Sequence, residues 1–204
     1  PENYENLVSP DCVYLLGTDY ALLRPEFAKL RQAATEHRMQ PGPLKRILVN
    51  FGGTDDNNTT PLALMAIAKS RLEVEVDIMV GSGATNLQKI KDAIKEFYPQ
   101  AILHLDVRNP APLMASADIA IGAGGGTMWE RCCLGLPTIV VQSSPDQSLN
   151  YSVIADMQAM WPAGQHETIS VESLADQLCL LSQNANEVQK VSQTAASICD
   201  GRGA

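Results

Sequence analysis

The sequence has little that would suit it to bind nucleic acid or to cross a membrane. Its 204 residues carry a formal net charge of −8, whereas general nucleic-acid binding needs clustered lysine and arginine to neutralise phosphates. No apolar run approaches the roughly 18 residues of a membrane span, and no basic segment followed by an apolar stretch indicates a signal peptide. We therefore expect a cytoplasmic protein with no nucleic-acid partner and no membrane span.

The sequence also lacks the cysteine and histidine patterns that mark metal sites or nucleophilic catalysis. The five cysteines match no zinc-binding spacing, and we interpret them as reduced and mostly buried thiols. The histidines His37, His104 and His166 stand in no catalytic arrangement with a serine or cysteine. We therefore interpret them as solvated or structural side chains, and we expect neither a metal site nor a cofactor.

What the sequence does contain is an alternation of apolar strands with helices. Unbroken runs of valine, isoleucine and leucine are typical of parallel strands that are buried on both faces. The pattern therefore predicts an α/β fold, a Rossmann-like parallel sheet with helices on both faces. The predicted strands are residues 11–16, 47–51, 74–80, 101–105, 118–121 and 137–142; the predicted helices are residues 28–38, a segment from Thr60, 86–97, 112–117, 128–134, 147–160 and two within 170–198.

The chain before the first long apolar strand differs from the rest. Residues 1–10 are polar and we expect them to be loose, while Pro41 and the glycine and proline after it break the chain. We predict that residues 1–44 form an interdomain arm or linker and that residues 45–204 form the Rossmann-like domain.

A glycine-rich loop is the strongest functional motif in the sequence. GAGGGT at 122–127 lies between a predicted strand and a predicted helix. Glycines let the backbone approach a phosphate closely, and a helix N-terminus supplies free N–H donors; the alternative is a tight turn with close helix–sheet packing. Glu130, one turn into the helix, is placed to reach the two hydroxyls of a ribose. Thr127 and Glu130 also have the spacing of a capping box, which is the alternative for this pair.

Two further loops follow predicted strands at the same edge of the sheet, where doubly wound folds bind ligands. GGTD at 52–55 can place N–H groups and the Thr54 hydroxyl against a second phosphate; the alternative is a plain loop before a helix that Thr60 caps. In the third loop, Asp146 or Gln147 can contact a sugar or a phosphate. The alternative there is again a helix cap, with Gln147 at its third position.

Taken together, these motifs resemble one family. ILVNFGGTD at 47–55 and ADIAIGAGGGTMWERCCLGLP at 117–137 are similar to the C-terminal half of UDP-2,4-diacetamido-2,4,6-trideoxy-β-L-altropyranose hydrolase of pseudaminic acid biosynthesis, within the MurG-like GT-B group. GTDYALLRPEF at 17–27 is similar to the stretch between that family's two domains. The resemblance implies the C-terminal domain of a GT-B type protein, with UDP or a UDP-sugar as the partner of residues 45–204.

The resemblance also implies a role for each loop. Glu130 would hold the ribose hydroxyls. Where this chain has Asp146 the family often carries asparagine, and a carboxylate near a diphosphate is unfavourable. The remaining implied contacts are Gly53, Thr54, Gly125, Gly126 and Thr127 with the diphosphate, the backbone of Val107 and Arg108 with uracil, and Asp146 and Gln147 with the sugar side.

In the family that the chain resembles, an N-terminal domain supplies a histidine that activates water. The printed sequence contains no such catalytic domain, so we expect no catalytic residue in it and no turnover by this chain alone. Two alternatives stay open. One is the donor-binding domain of a UDP-sugar glycosyltransferase, and the other is a noncatalytic nucleotide-binding module.

Overall fold

A computed structural model describes residues 7–9, 11–40 and 42–203 of the chain. Parts of the predicted loose segment at 1–10, and the predicted break at Pro41, lie outside the described residues. The strands are β1 (Arg46–Asn50), β2 (Glu75–Val80), β3 (Ile102–Leu105), β4 (Ile119–Ala123), β5 (Thr138–Gln142) and β6 (Trp161–Gln165). The helices are α1 (Pro25–Arg38), α2 (Thr59–Ser70), α3 (Leu87–Phe97), α4 (Ala111–Ser116), α5 (Thr127–Cys133), α6 (Ser148–Asp156), α7 (Val171–Ser182) and α8 (Ala185–Ile198).

The strands form one sheet in the order β3-β2-β1-β4-β5-β6, and every neighbouring pair is parallel. This is the Rossmann-like parallel sheet that the apolar runs predict, and the prediction is confirmed. The chain passes from β1 to β2 on one side and later returns to place β4 on the other side of β1. A crevice therefore opens between the carboxyl ends of β1 and β4, where strand order reverses.

At the margins of the sheet, one strand prediction is wrong and one strand was missed. Residues 11–16 form no strand, and their apolar side chains are largely exposed because no neighbouring strand covers them. β6 was not predicted, because its sequence contains Pro162 and Gly164, which weaken a strand pattern. Its place at the edge of the sheet explains why a proline is tolerated there. Within the described residues, no helix is long and apolar enough to span a membrane.

Helices cover both faces of the sheet and bury two apolar cores. Alternate residues of one strand point to opposite faces, so Ile47 and Val49 of β1 enter one core while Leu48 enters the other. The first core lies under α2, α3 and α7, and the second lies under α1, α4, α5, α6 and α8. This arrangement leaves the edge at the carboxyl ends of the strands to loops.

The described part of the predicted arm contributes a helix that packs on the second core. Phe27 of α1 is fully buried. The guanidinium of Arg31 donates to the carbonyl oxygens of Cys133 and Cys199 at 2.6 and 2.9 Å. Arg38 similarly donates to carbonyl oxygens at the ends of α4 and α5. These bonds satisfy helix-end carbonyls that have no intrahelical partner. The role of residues 1–44 as an interdomain connector stays a prediction.

Candidate functional site

The glycine loop, residues 124–126, follows a strand end that is packed against a buried arginine. The Arg131 side chain is 1% exposed, and its Nη2 donates to the carbonyl oxygen of Ala123. A Cβ at Gly122 would overlap both Arg131 Nη1 and the carbonyl oxygen of Asn50. Position 122 therefore has no room for a side chain, because the guanidinium of α5 lies between the ends of β1 and β4.

The Gln147 side chain ties the glycine loop to the end of β5. Its Oε1 accepts hydrogen bonds from the main-chain N–H groups of Gly124 and Ser143, each at 3.1 Å. Its Nε2 would lie 3.6 Å from a Cβ placed on Gly125, so the amide runs along the loop. The alternative of a helix cap is correct in position only: Ser144 is the N-cap residue and a proline follows it, but the helix is a 3-10 turn and the Ser144 side chain forms no cap bond.

Glu130 faces an arginine rather than the start of its own helix. The N-cap position of α5 is Gly126, and no side chain caps the helix, so the alternative of a capping box with Thr127 is wrong. Glu130 Oε1 lies 3.3 Å from Arg24 Nη2, and Arg24 Nη1 donates to the carbonyl oxygen of Arg108 at 2.5 Å. One guanidinium thus bridges the two groups to which the resemblance assigns ribose and uracil.

The Glu130 carboxyl is poorly solvated, with a side chain that is 16% exposed. Burial raises the pKa of this carboxyl above its usual value, and the positive charges of Arg24 and Arg131 act in the opposite direction. A carboxylate with few water partners forms strong hydrogen bonds with neutral donors. Glu130 is therefore suited to a ligand that presents hydroxyl groups.

Asp55, and not Thr60, caps α2. Its two carboxylate oxygens accept from the main-chain N–H groups of Thr59 and Thr60 at 2.9 and 3.0 Å. The alternative of a cap at Thr60 is wrong because α2 starts at Thr59, which places Thr60 inside the helix. Asp55 is buried in this role, whereas Gly53 and Thr54 before it, and Asp56 and Asn57 after it, are exposed.

Direct backbone contact joins the loops after β1 and β2. The carbonyl oxygen of Gly53 accepts a hydrogen bond from Gly81 N–H at 2.7 Å, and a Cβ on Gly81 would come within 2.6 Å of that oxygen. The loop after β3 reaches the same edge, where the Asp106 carboxylate accepts from Ser82 N–H at 2.9 Å. Three loops are thereby held against one another at the carboxyl ends of the strands.

These loops surround a cavity of about 270 Å³, which we call the switch-point cavity. It opens where strand order reverses. Four predicted site residues line it, Gly53, Val107, Thr127 and Glu130, together with Arg24, Asn50 and Asp106, which the sequence did not single out.

Two more predicted residues, Thr54 and Gln147, line a second cavity of about 350 Å³ between the loops after β1 and β5. Gly125 and Gly126 lie in the glycine loop, Arg108 offers its carbonyl oxygen to Arg24, and Asp146 is exposed. The structure thus brings the predicted residues to one edge of the sheet. Their roles in binding stay predictions.

Of the site residues that sequence reasoning missed, Arg24 makes the contacts that matter most for the site. It lies 106 positions before Glu130 in the chain, so no local spacing relates the two residues. Its segment resembles a stretch between domains, but nothing in that pattern indicates a contact with the glycine-loop helix. The only sequence clue is a lone basic residue immediately before the proline that opens α1.

The family model described as glycosyltransferase family 28 C-terminal domain matches residues 47–200 of the chain. The chain belongs to this family. The match begins in β1 and continues past the end of α8. It therefore covers the whole sheet and every loop of the site, and leaves Arg24 outside.

Several known proteins are similar to this family 28 domain. The spore coat polysaccharide biosynthesis protein SpsG of Bacillus subtilis (strain 168) is 26% identical over 190 residues, which are 92% of this chain and 54% of SpsG. The crystal structure of Acinetobacter baumannii MurG has a TM-score of 0.65 and 20% identity over 81% of this chain and 49% of MurG. Anabaena HepE in complex with UDP-glucose has a TM-score of 0.63 and 14% identity, over 92% of this chain and 51% of HepE.

The chain spans about half the length of these proteins. The structural likeness confirms the predicted fold class, a Rossmann-like domain of the GT-B type. The finer identity expected from the motifs, a hydrolase of pseudaminic acid biosynthesis, gains no support from the names of these relatives. A glycosyltransferase-like domain agrees with them better.

Proposed function

We propose that this family 28 domain binds the UDP portion of a UDP-sugar and serves as the donor-binding half of a GT-B glycosyltransferase. The observation that carries the proposal is the half-buried Glu130 carboxylate in the switch-point cavity. It stands beside the Arg108 carbonyl oxygen, close enough for the Arg24 guanidinium to bridge both acceptors. A uridine has one kind of donor for each acceptor. Its ribose hydroxyls can donate to the Glu130 carboxylate, and the N–H of its uracil can donate to the Arg108 carbonyl oxygen.

The glycine loop and the loop after β1 suit the charged part of the ligand. They approach the crevice from its two sides, and neither brings a bulky side chain into it. Main-chain N–H groups can then approach a diphosphate closely, as glycine-rich loops do in other nucleotide sites. The proposed diphosphate contacts are Gly53, Thr54, Gly125, Gly126 and Thr127, and Val107 with Arg108 is the proposed uracil contact.

The sugar would extend toward the turn after β5. Gln147 uses Oε1 to hold Gly124 and Ser143, which leaves its Nε2 donors for a ligand. Asp146 is exposed on the same turn, and its carboxylate suits sugar hydroxyls better than phosphate oxygens. We therefore assign both side chains to the sugar side of the site.

A hydrolase is the second candidate, favoured by the resemblance of residues 117–137 to the pseudaminic acid enzyme. The two functions differ in what receives the sugar, and the groups described here only bind and orient the nucleotide. We propose that the chain alone turns over no UDP-sugar. A protein that also contains the other half would release UDP without an acceptor if it is a hydrolase, and only with an acceptor if it is a transferase.

Titration calorimetry of the chain with UDP and ADP tests the binding proposal. We expect UDP to bind and ADP to bind far more weakly, because a purine does not fit acceptors arranged for uracil. Glu96→Ala is the matched control for changes at Glu130, since it removes an exposed glutamate from α3. Absence of UDP binding, or equal binding of UDP and ADP, would refute the proposal.

A further inference from the structure

Arg131 is a buried cation that has no direct ion-pair partner among the described residues, although its charge interacts with that of the neighbouring Glu130. Its guanidinium is fully buried, yet it forms no ion pair within the described part of the chain. Nη2 donates to the carbonyl oxygen of Ala123, while Nε and Nη1 have no hydrogen-bond partner among the described residues. Buried charges are normally paired, because removing an ion from water is costly.

The protein maintains this charge through specific packing. Burial lowers the pKa of Arg131 to about 10. This value is still well above neutral pH, where the guanidinium therefore remains protonated. Gly122 gives it room between β1 and β4, since a Cβ at that position would overlap Nη1. The buried Arg38 differs, because both of its Nη nitrogens donate to helix-end carbonyl oxygens. Filling space alone does not account for an arginine at position 131.

The position of Arg131 places its charge beneath the glycine loop. Its guanidinium contacts Ala123, the residue that precedes the loop, and its Cα lies one turn into the helix that follows the loop. A diphosphate on the loop would therefore stand near the guanidinium without touching it. The low-dielectric interior between them transmits such an attraction with little screening.

We propose that Arg131 is a positioning residue whose buried charge is compensated by the diphosphate of the bound nucleotide. The inference rests on the proposed function and deepens it. Arg131 sets how strongly the site prefers a nucleoside diphosphate over the uncharged nucleoside. It also explains how a chain with a net charge of −8 attracts a polyanion to this edge of the sheet.

The test compares uridine, UMP and UDP, which share the nucleoside and differ in charge. At an effective dielectric constant of about 20, the attraction between two opposite unit charges about 10 Å apart corresponds to more than a tenfold change in affinity. We expect Arg131→Met to weaken UDP more than tenfold, to weaken UMP less, and to leave uridine within about twofold of the unchanged protein. Arg131→Lys retains the charge and should retain the UDP-to-uridine ratio.

Lys91→Met is the matched control, because it removes an exposed cation from α3 and changes the net charge equally. We expect its UDP-to-uridine ratio to be unchanged. Equal losses of uridine and UDP in Arg131→Met would show a merely structural role and overturn the inference, while UDP binding by the unchanged protein would leave the proposed function standing. Failure of the unchanged protein to bind UDP would refute the proposed function instead.

A measurement on the unchanged protein decides the matter if Arg131→Met does not fold. A buried charge is screened by salt far less than an exposed one. The UDP-to-uridine ratio should therefore change little between low and high salt. A ratio that collapses in high salt would assign the preference to exposed cations such as Arg24 and would overturn the inference.

Discussion

Replacing Glu130 with alanine should weaken UDP binding severely. A hydrogen bond to a charged acceptor contributes about 1.5–3 kcal/mol, and the proposal gives Glu130 two ribose hydroxyls. Against this, the free protein gives up the contact with Arg24, whose side chain is 45% exposed, and exposed ion pairs contribute only about 0–1 kcal/mol. The net loss is about 2–6 kcal/mol, which corresponds to about 30- to 20,000-fold in the dissociation constant.

A cycle of two proteins and two ligands separates this contact from a general disturbance of the site. Calorimetry would compare UDP with its 2′-deoxy analogue on the unchanged protein and on Glu130→Ala. We expect the missing hydroxyl to weaken binding to the unchanged protein and to matter little once the carboxylate is gone. Glu96→Ala should bind both ligands as the unchanged protein does. An equal penalty for the missing hydroxyl in both proteins would refute the assignment of Glu130 to the ribose.

Three other perturbations follow from the same contacts. Arg24→Ala should strengthen UDP binding by up to about fivefold, because it frees two acceptors from an exposed pair; calorimetry showing weaker binding would make Arg24 a ligand contact instead. UDP affinity should be full above the raised pKa of Glu130 and be lost as pH falls through it, since only the ionised carboxylate accepts two hydroxyls. Glu130→Gln should remove this contribution to the pH dependence of UDP affinity and leave the contribution of the terminal phosphate of UDP, which titrates near pH 6. Gly122→Ala should destabilise the fold by about 1–3 kcal/mol in urea unfolding, because its Cβ overlaps Arg131 and the main chain, whereas Gly126→Ala, with nothing within 4 Å of the added carbon, should change stability little. Equal losses for the two glycine variants would contradict the packing argument.

The strand and helix pattern was predictable because it depends on local chemistry. β1, β2, β4 and β5 are runs of apolar residues, and the glycine loop follows β4 directly in sequence. The predictions failed where neighbours distant in sequence decide the outcome. Residues 11–16 are apolar but find no partner strand, while β6 contains Pro162 and Gly164 and still pairs with β5 at the sheet edge.

The helix caps show the same division. Thr60 and Thr127 both have the local chemistry of a cap, yet the carboxylate of Asp55 caps α2 and nothing caps α5 with a side chain. Glu130 instead meets Arg24. A capping motif specifies which hydrogen bonds are possible, and the packing of the surrounding loops decides which of them form.

The sequence by itself determined the fold class and the edge at which the site lies, because apolar periodicity specifies buried strands and parallel strands end together. Only the tertiary structure decided that Arg24 bridges Glu130 and Arg108, and that Arg131 lies buried beside Gly122 with Nε and Nη1 unpaired among the described residues. These contacts join residues from distant parts of the chain, or depend on which side chains the packed loops exclude from water. Neither condition is encoded in the spacing of any local motif.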